Sequence, residues 1–206
     1  RFMSKLNSFE FSIADETAEL ISEIVNSGEL NYLIPERVWL ETEKALHTQS
    51  FDLYFKTLCD FNAINDIYPD LNGIDQVIAN SSLRAYKNAS PELKMASIFC
   101  ALDALSDGNL VEHLDEIQNR IKFPNSYKSF AKSALRTTKI LNESRENISA
   151  DAIYEIIQAT DAFRNPEDFM LIMEFHKLAD DADLKVKIRM IVDAFDSCKS
   201  IGYDKE

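Results

Sequence analysis

Only nine of the 206 residues break backbone regularity by their own chemistry: Gly at 28, 73, 108 and 202, and Pro at 35, 69, 91, 124 and 166. Ordinary chains carry roughly 7% Gly and 5% Pro, and sandwiches and barrels need such residues at every corner. The scarcity predicts an all-α chain. Each Pro stands where a first helical turn can begin, because the N–H it lacks would find no partner there. Ser90-Pro91-Glu92 and Asn165-Pro166-Glu167-Asp168 add a capping side chain before the Pro and carboxylates after it, at the positive end of a helix.

Between these markers the apolar residues recur with helical period. Phe51, Tyr54, Phe55 and Leu58 follow i, i+3, i+4, i+7; Leu110, Leu114, Ile117 and Ile121 do so more loosely. Ile153, Ile156 and Ile157, then Ile188, Ile191, Val192 and Phe195, repeat the pattern. About ten helices are predicted, in a multi-helical, elongated or solenoid-like arrangement. The aromatic residues on these stripes read as core rather than as platforms for stacked bases.

Few kinds of chemistry fit the remaining composition. Three cysteines, Cys59, Cys100 and Cys198, share no metal-type spacing, and an odd number suits a reducing compartment. No run approaches the ~20 apolar residues of a membrane span, so a cytoplasmic protein with no membrane partner is expected. His47, His113 and His176 are isolated in sequence and read as surface or capping residues. The acidic pairs Asp15-Glu16, Glu167-Asp168 and Asp180-Asp181 fall in predicted first turns or loops, where capping and solvation account for them. No catalytic residue and no metal ligand is assigned. A first residue other than Met predicts a piece of a longer chain.

The formal charge of −13 opposes general binding to a phosphate backbone, so any nucleic-acid contact has to be local. One segment qualifies. Arg120 through Asn142 holds six cations and no carboxylate, +6 against −19 for the remainder. Lys128, Lys132 and Arg136 are four apart and Lys139 three further on, which aligns them along one side of a helix beginning at Pro124. Tyr127, Phe130, Ala131, Ala134, Leu135 and Leu141 are predicted for its buried side. Such a stripe can track an RNA backbone while the helix stays packed; it can equally neutralise acidic neighbours such as Asp115 and Glu116.

The stretch Gly28 to Glu41, GELNYLIPERVWLE, is the most specific motif in the chain. It resembles the ERxxxE element of bacterial tRNA nucleotidyltransferases, the CCA-adding enzymes, as Glu36-Arg37-Val38-Trp39-Leu40-Glu41. Arg1-Phe2 and Phe11 to Thr17 resemble how these enzymes leave their catalytic head, and Asp161 to Pro166 resembles a later DAFRxP segment. The resemblance implies a neck-like region over 1–71, a body over 72–145 at the position of a degenerate phosphohydrolase domain, and a tail-like region over 146–206. It implies that Glu36, Arg37 and Glu41 brace the neck, with Arg37 and Glu41 placed to pair along one helical face. It further implies a parent enzyme that adds C, C and A to tRNA from CTP and ATP with Mg²⁺, a contact of Lys128, Lys132, Arg136 and Lys139 with the tRNA acceptor arm, and no cofactor bound by this part. The family's metal-binding and base-selecting residues would precede Arg1, so the chain alone is expected to be inactive. Where many relatives carry an adjacent His-Asp pair, Cys100-Ala101 stands here, and the phosphohydrolase is predicted absent. A bacterial poly(A) polymerase shares head and neck and is the alternative, as is a non-catalytic α-helical interaction domain.

Overall fold

The computed structural model describes residues 1–6, 12–80, 82–106, 108–144, 147–179 and 181–200; Phe11, Asp180 and Gly202 lie outside the described residues. Among the described residues there are twelve α-helices, nine of them seven residues or longer, and no strand. They are α1 (Phe2–Leu6), α2 (Asp15–Asn26), α3 (Pro35–Leu46), α4 (Asp52–Asp60), α5 (Ile64–Ile67), α6 (Ile74–Ala79), α7 (Pro91–Leu105), α8 (Leu110–Ile121), α9 (Asn125–Glu143), α10 (Ala150–Ala159), α11 (Pro166–Lys177) and α12 (Ala182–Ser200).

Pro35, Pro91 and Pro166 open α3, α7 and α11, and α9 begins one residue after Pro124. Ser90 caps α7 as expected, its Oγ accepting the Leu93 N–H at 3.4 Å. Asn165 does not cap α11. Its backbone (φ −124°, ψ 64°) departs from the extended cap geometry of Ser90 (φ −64°, ψ 159°), and its Nδ2 turns back to donate to Asp161 Oδ2 at 3.3 Å.

The chain divides into two compact units, 1–128 and 129–206. In the first, α7 lies at the centre and is buried nearly all round, through Leu93, Met95, Ala96, Ile98, Phe99 and Leu102. It packs against α3, α6 and α8. Trp39 of α3 joins this core, 5.8 Å from the Phe123 ring and edge-on to Tyr127 at 4.9 Å. Lys94 is buried within it, only 3% exposed. Its Nζ donates to the carbonyls of Leu46 (2.9 Å) and Thr48 (2.8 Å), satisfying the open end of α3. Burial lowers its pKa.

Beneath α3, the hydroxyls of Thr42, Tyr54 and Tyr68 meet in one buried cluster. The link from α8 to α9 is set by Lys122, which takes the left-handed conformation (φ 65°) of a helix C-terminus. Gln118 Nε2 fastens the turn by donating to Phe123 O (3.0 Å) and Asn125 Oδ1 (2.8 Å).

The second unit is built from the body of α9 with α10, α11 and α12. Its core holds Ile156, Phe169, Ile172, Met173, Ile188, Ile191 and Phe195, with the Phe169 and Phe195 rings 4.6 Å apart. His47 terminates α3 and His113 is exposed on α8, as expected for surface or capping residues. His176 departs from that expectation: it is buried in the second core, between Thr138 Oγ1 (3.0 Å) and the Ile172 carbonyl (2.8 Å).

Candidate functional site

Helix α9 carries the basic segment, and its buried side is the expected one: Tyr127, Phe130, Ala131, Ala134, Leu135 and Leu141 are all buried. The cations lie on the remaining surface, with Arg136 and Lys139 exposed and Lys128 and Lys132 half-buried. They are not equivalent. Lys128 Nζ sits 2.7 Å from Asp115 Oδ1, so the first cation of the stripe does neutralise an acidic neighbour. Arg120, at the segment's start, pairs with Asp70 at 2.7 Å. Among the described residues no carboxylate lies within 4.0 Å of Lys132, Arg136 or Lys139. Within α9 itself the uncommitted positive charge therefore lies in the later turns.

In the second unit, Ser129, Lys132, Ser133 and Arg136 form one wall of a cleft of about 260 Å³. The other wall is Thr160, Asp161, Asn165 and Asp168, with the core residues Phe130 and Ile172 at its base. Asp161 adopts φ 47°, which turns the chain sharply between α10 and α11, and the neighbouring Ala162 is fully buried. The turn was marked in sequence only by resemblance; its left-handed residue and its position opposite α9 were not foreseen. A second cation-lined groove, of about 440 Å³, is formed by Lys177, Lys185 and Arg189 with Val192 and Asp193. Its signal was present in the four-residue spacing of Lys185 and Arg189, but the adjacent Asp183 and Asp193 masked it in a count of charge.

At the other motif, Arg37 and Glu41 do not pair. Glu41 is taken by Lys44 one turn along (2.8 Å) and by Arg1 of the preceding chain (3.0 Å). The Lys44 hydrogen bond, more than the charge of Arg1, holds the Glu41 carboxyl below the usual carboxylate range. Glu36 and Arg37 are exposed. Arg37 and Glu41 border a cleft of about 370 Å³ together with Tyr32, Leu33, Ile34 and Tyr54. Tyr32 is 87% exposed, so this face presents an unusual amount of apolar surface to solvent. Among the described residues no group of three or more His, Cys, Asp or Glu side chains is arranged to hold a metal ion. No helix among them is long and apolar enough to cross a membrane.

Comparison with known proteins bears on these surfaces. A family model described as "probable RNA and SrmB-binding site of polymerase A" matches residues 10–74. The CCA-adding enzyme of Francisella tularensis subsp. novicida is 31% identical over 180 residues, covering 86% of this chain and 46% of that protein. The CCA-adding enzyme of Actinobacillus succinogenes is 29% identical over 194 residues, covering 84% and 48%. The multifunctional CCA protein of Haemophilus ducreyi is 27% identical over 209 residues, covering 84% and 50%. The chain thus spans about half the length of the curated relatives it matches. No solved structure matches.

Proposed function

Because the chain is a relative of the CCA-adding enzymes over most of its own length, we propose that it is the RNA-holding and scaffolding part of a tRNA nucleotidyltransferase. Transfer of C, C and A from CTP and ATP with Mg²⁺ then belongs to the half of the relatives' length that this chain does not match, and the chain alone is inactive. In this reading 1–71 is neck-like, 72–145 is the body and 146–206 is tail-like. In this reading the chain acts in the cytoplasm.

The observation that carries the reading is the placement of uncommitted cations. Residues 10–74, the span matched by the RNA-binding family, contain thirteen carboxylates and only three cations, a net charge of −10. Of those three, Lys44 and Lys56 are already paired, with Glu41 (2.8 Å) and Asp60 (2.6 Å). Phosphates are held by cations free to replace counterions, and that span has Arg37 alone to offer. The long-range grip on the tRNA acceptor arm falls to Lys132, Arg136 and Lys139, with Lys128 contributing when Asp115 releases it.

Glu36, Arg37 and Glu41 have a different task. Glu41 ties α3 to Arg1, just ahead of α1, and exposed ion pairs of this kind are worth only ~0.2 to 1 kcal/mol each. Its value is orientation: it sets the angle at which α3 presents Arg37 beside the exposed Tyr32, Leu33 and Ile34. A nucleotide-binding domain laid on that face is braced by both the apolar area and the charges.

The description of the matched family favours a second reading, the same region of a poly(A) polymerase. A gel-shift titration of the chain with tRNA and with poly(A), at 50 and 200 mM salt, separates the possibilities. Tighter binding to tRNA, weakened roughly 20- to 40-fold by the higher salt as three phosphate contacts require, is expected. Preference for poly(A) supports the polymerase, and no salt-sensitive binding to either supports a protein-interaction domain.

A further inference from the structure

The cleft between α9 and the turn into α11 joins two kinds of group that a simple phosphate-tracking surface would keep apart. Lys132 and Arg136 line one wall, and Asp161 and Asp168 the other. A surface selected only to neutralise phosphate gains nothing from carboxylates beside its cations and loses affinity to them by repulsion. Carboxylates in an RNA site have another use, since they accept hydrogen bonds from hydroxyl groups, and the ribose 2′-hydroxyl is the donor that distinguishes RNA from DNA.

We propose that this cleft is a ribose-reading subsite, in which Lys132 and Arg136 hold a phosphate of the RNA chain while Asp161 and Asp168 accept from the adjoining 2′-hydroxyl. The inference rests on the RNA-holding function argued above and sharpens it.

The internal bonding of the cleft supports this division. Thr160 Oγ1 donates to the carbonyl of Ile156 (2.7 Å) and Ser133 Oγ to that of Ala159 (3.4 Å), so two of the three hydroxyls lining it have their protons engaged within the fold. Asp161 Oδ2 receives Asn165 Nδ2 at 3.3 Å and lies 3.5 Å from Arg164, which orients the carboxylate without burying it. Asp168, in the first turn of α11, is exposed. The cleft floor is rigid, because Phe130, Ala162, Phe169 and Ile172 behind it are buried core. At about 260 Å³ it accommodates a sugar and a phosphate rather than a folded arm.

The test compares an RNA hairpin with its 2′-O-methyl counterpart, which keeps A-form shape and phosphate charge and lacks the donor. The wild-type chain is expected to prefer the RNA about 5- to 10-fold. Asp161→Gly suits the left-handed backbone and Asp168→Ala suits a first helical turn, so the double variant is expected to keep its helical circular dichroism. It should bring the preference to near one by weakening RNA binding. Asp161→Asn with Asp168→Asn, which keeps an oxygen acceptor without the charge, should retain part of it. If instead the carboxylates only repel phosphate, the double variant binds both hairpins more tightly by the same factor, which overturns the proposal. Salt-sensitive RNA binding with no preference in the wild type overturns the subsite alone, whereas no RNA binding by the wild type overturns it together with the RNA-holding function.

Discussion

His176 shows how one residue's environment reverses what its sequence suggests. It reads as isolated, although it follows Phe169, Ile172 and Met173 at seven, four and three residues, the spacing of a buried helix side, and the ring is enclosed by α9 and α11 of the second unit. The Ile172 carbonyl can only accept, so Nδ1 carries the proton; Nε2 lies 3.0 Å from Thr138 Oγ1, whose one proton also faces the Ala134 carbonyl at 2.8 Å. Burial pushes the imidazole pKa down to about 4. The unfolded chain, with a His pKa near 6.5, then binds more protons than the folded one between pH 6.5 and 4. Stability from this group is complete above about pH 6.5 and falls as pH drops towards 4, by roughly 3 kcal/mol in all. Urea unfolding of wild type and His176→Gln across that range checks it. The wild type should lose more stability than the variant on acidification; parallel curves would show that the ring is not held neutral.

Among the elements, α9 was the most legible, because its buried and basic sides alternate with a period that only a helix satisfies. Every residue expected on its buried side is there. The Pro-led starts of α3, α7 and α11 were legible for a similar local reason. What sequence could not supply were partnerships between distant elements. Arg37 and Glu41 were suitably spaced, but Arg1 and Lys44 reach Glu41 instead. Lys94 closes α3 across 48 and 46 residues of sequence through the Leu46 and Thr48 carbonyls, a partnership no local pattern marks. Lys94→Met keeps the length of the side chain and removes the donors, leaving two carbonyls of a buried helix end open. A loss of about 1 to 3 kcal/mol in chemical denaturation is expected, accompanied by faster amide exchange at the end of α3. An unchanged stability would mean that water replaces the ammonium without cost.

At the scale of the molecule, the all-α class followed from the scarcity of Gly and Pro, while the functional surface followed from an imbalance of charge that the total of −13 conceals. The position of the basic segment was readable because six cations without a carboxylate are improbable in so acidic a chain. Which of them remain free was not readable, since Lys128 and Arg120 are matched by Asp115 and Asp70 through folding. Likewise, the cleft opposite Lys132 and Arg136 depends on a left-handed Asp161 that no periodicity reveals. In the proposed function Lys132, Arg136 and Lys139 hold tRNA phosphates. The most direct measurement is the dependence of tRNA affinity on salt, for the wild-type chain and for a variant with all three changed to Glu. The account predicts weaker binding by the variant and a log–log slope shallower by about 2 to 3; a folded variant with unchanged affinity and a parallel slope would contradict it.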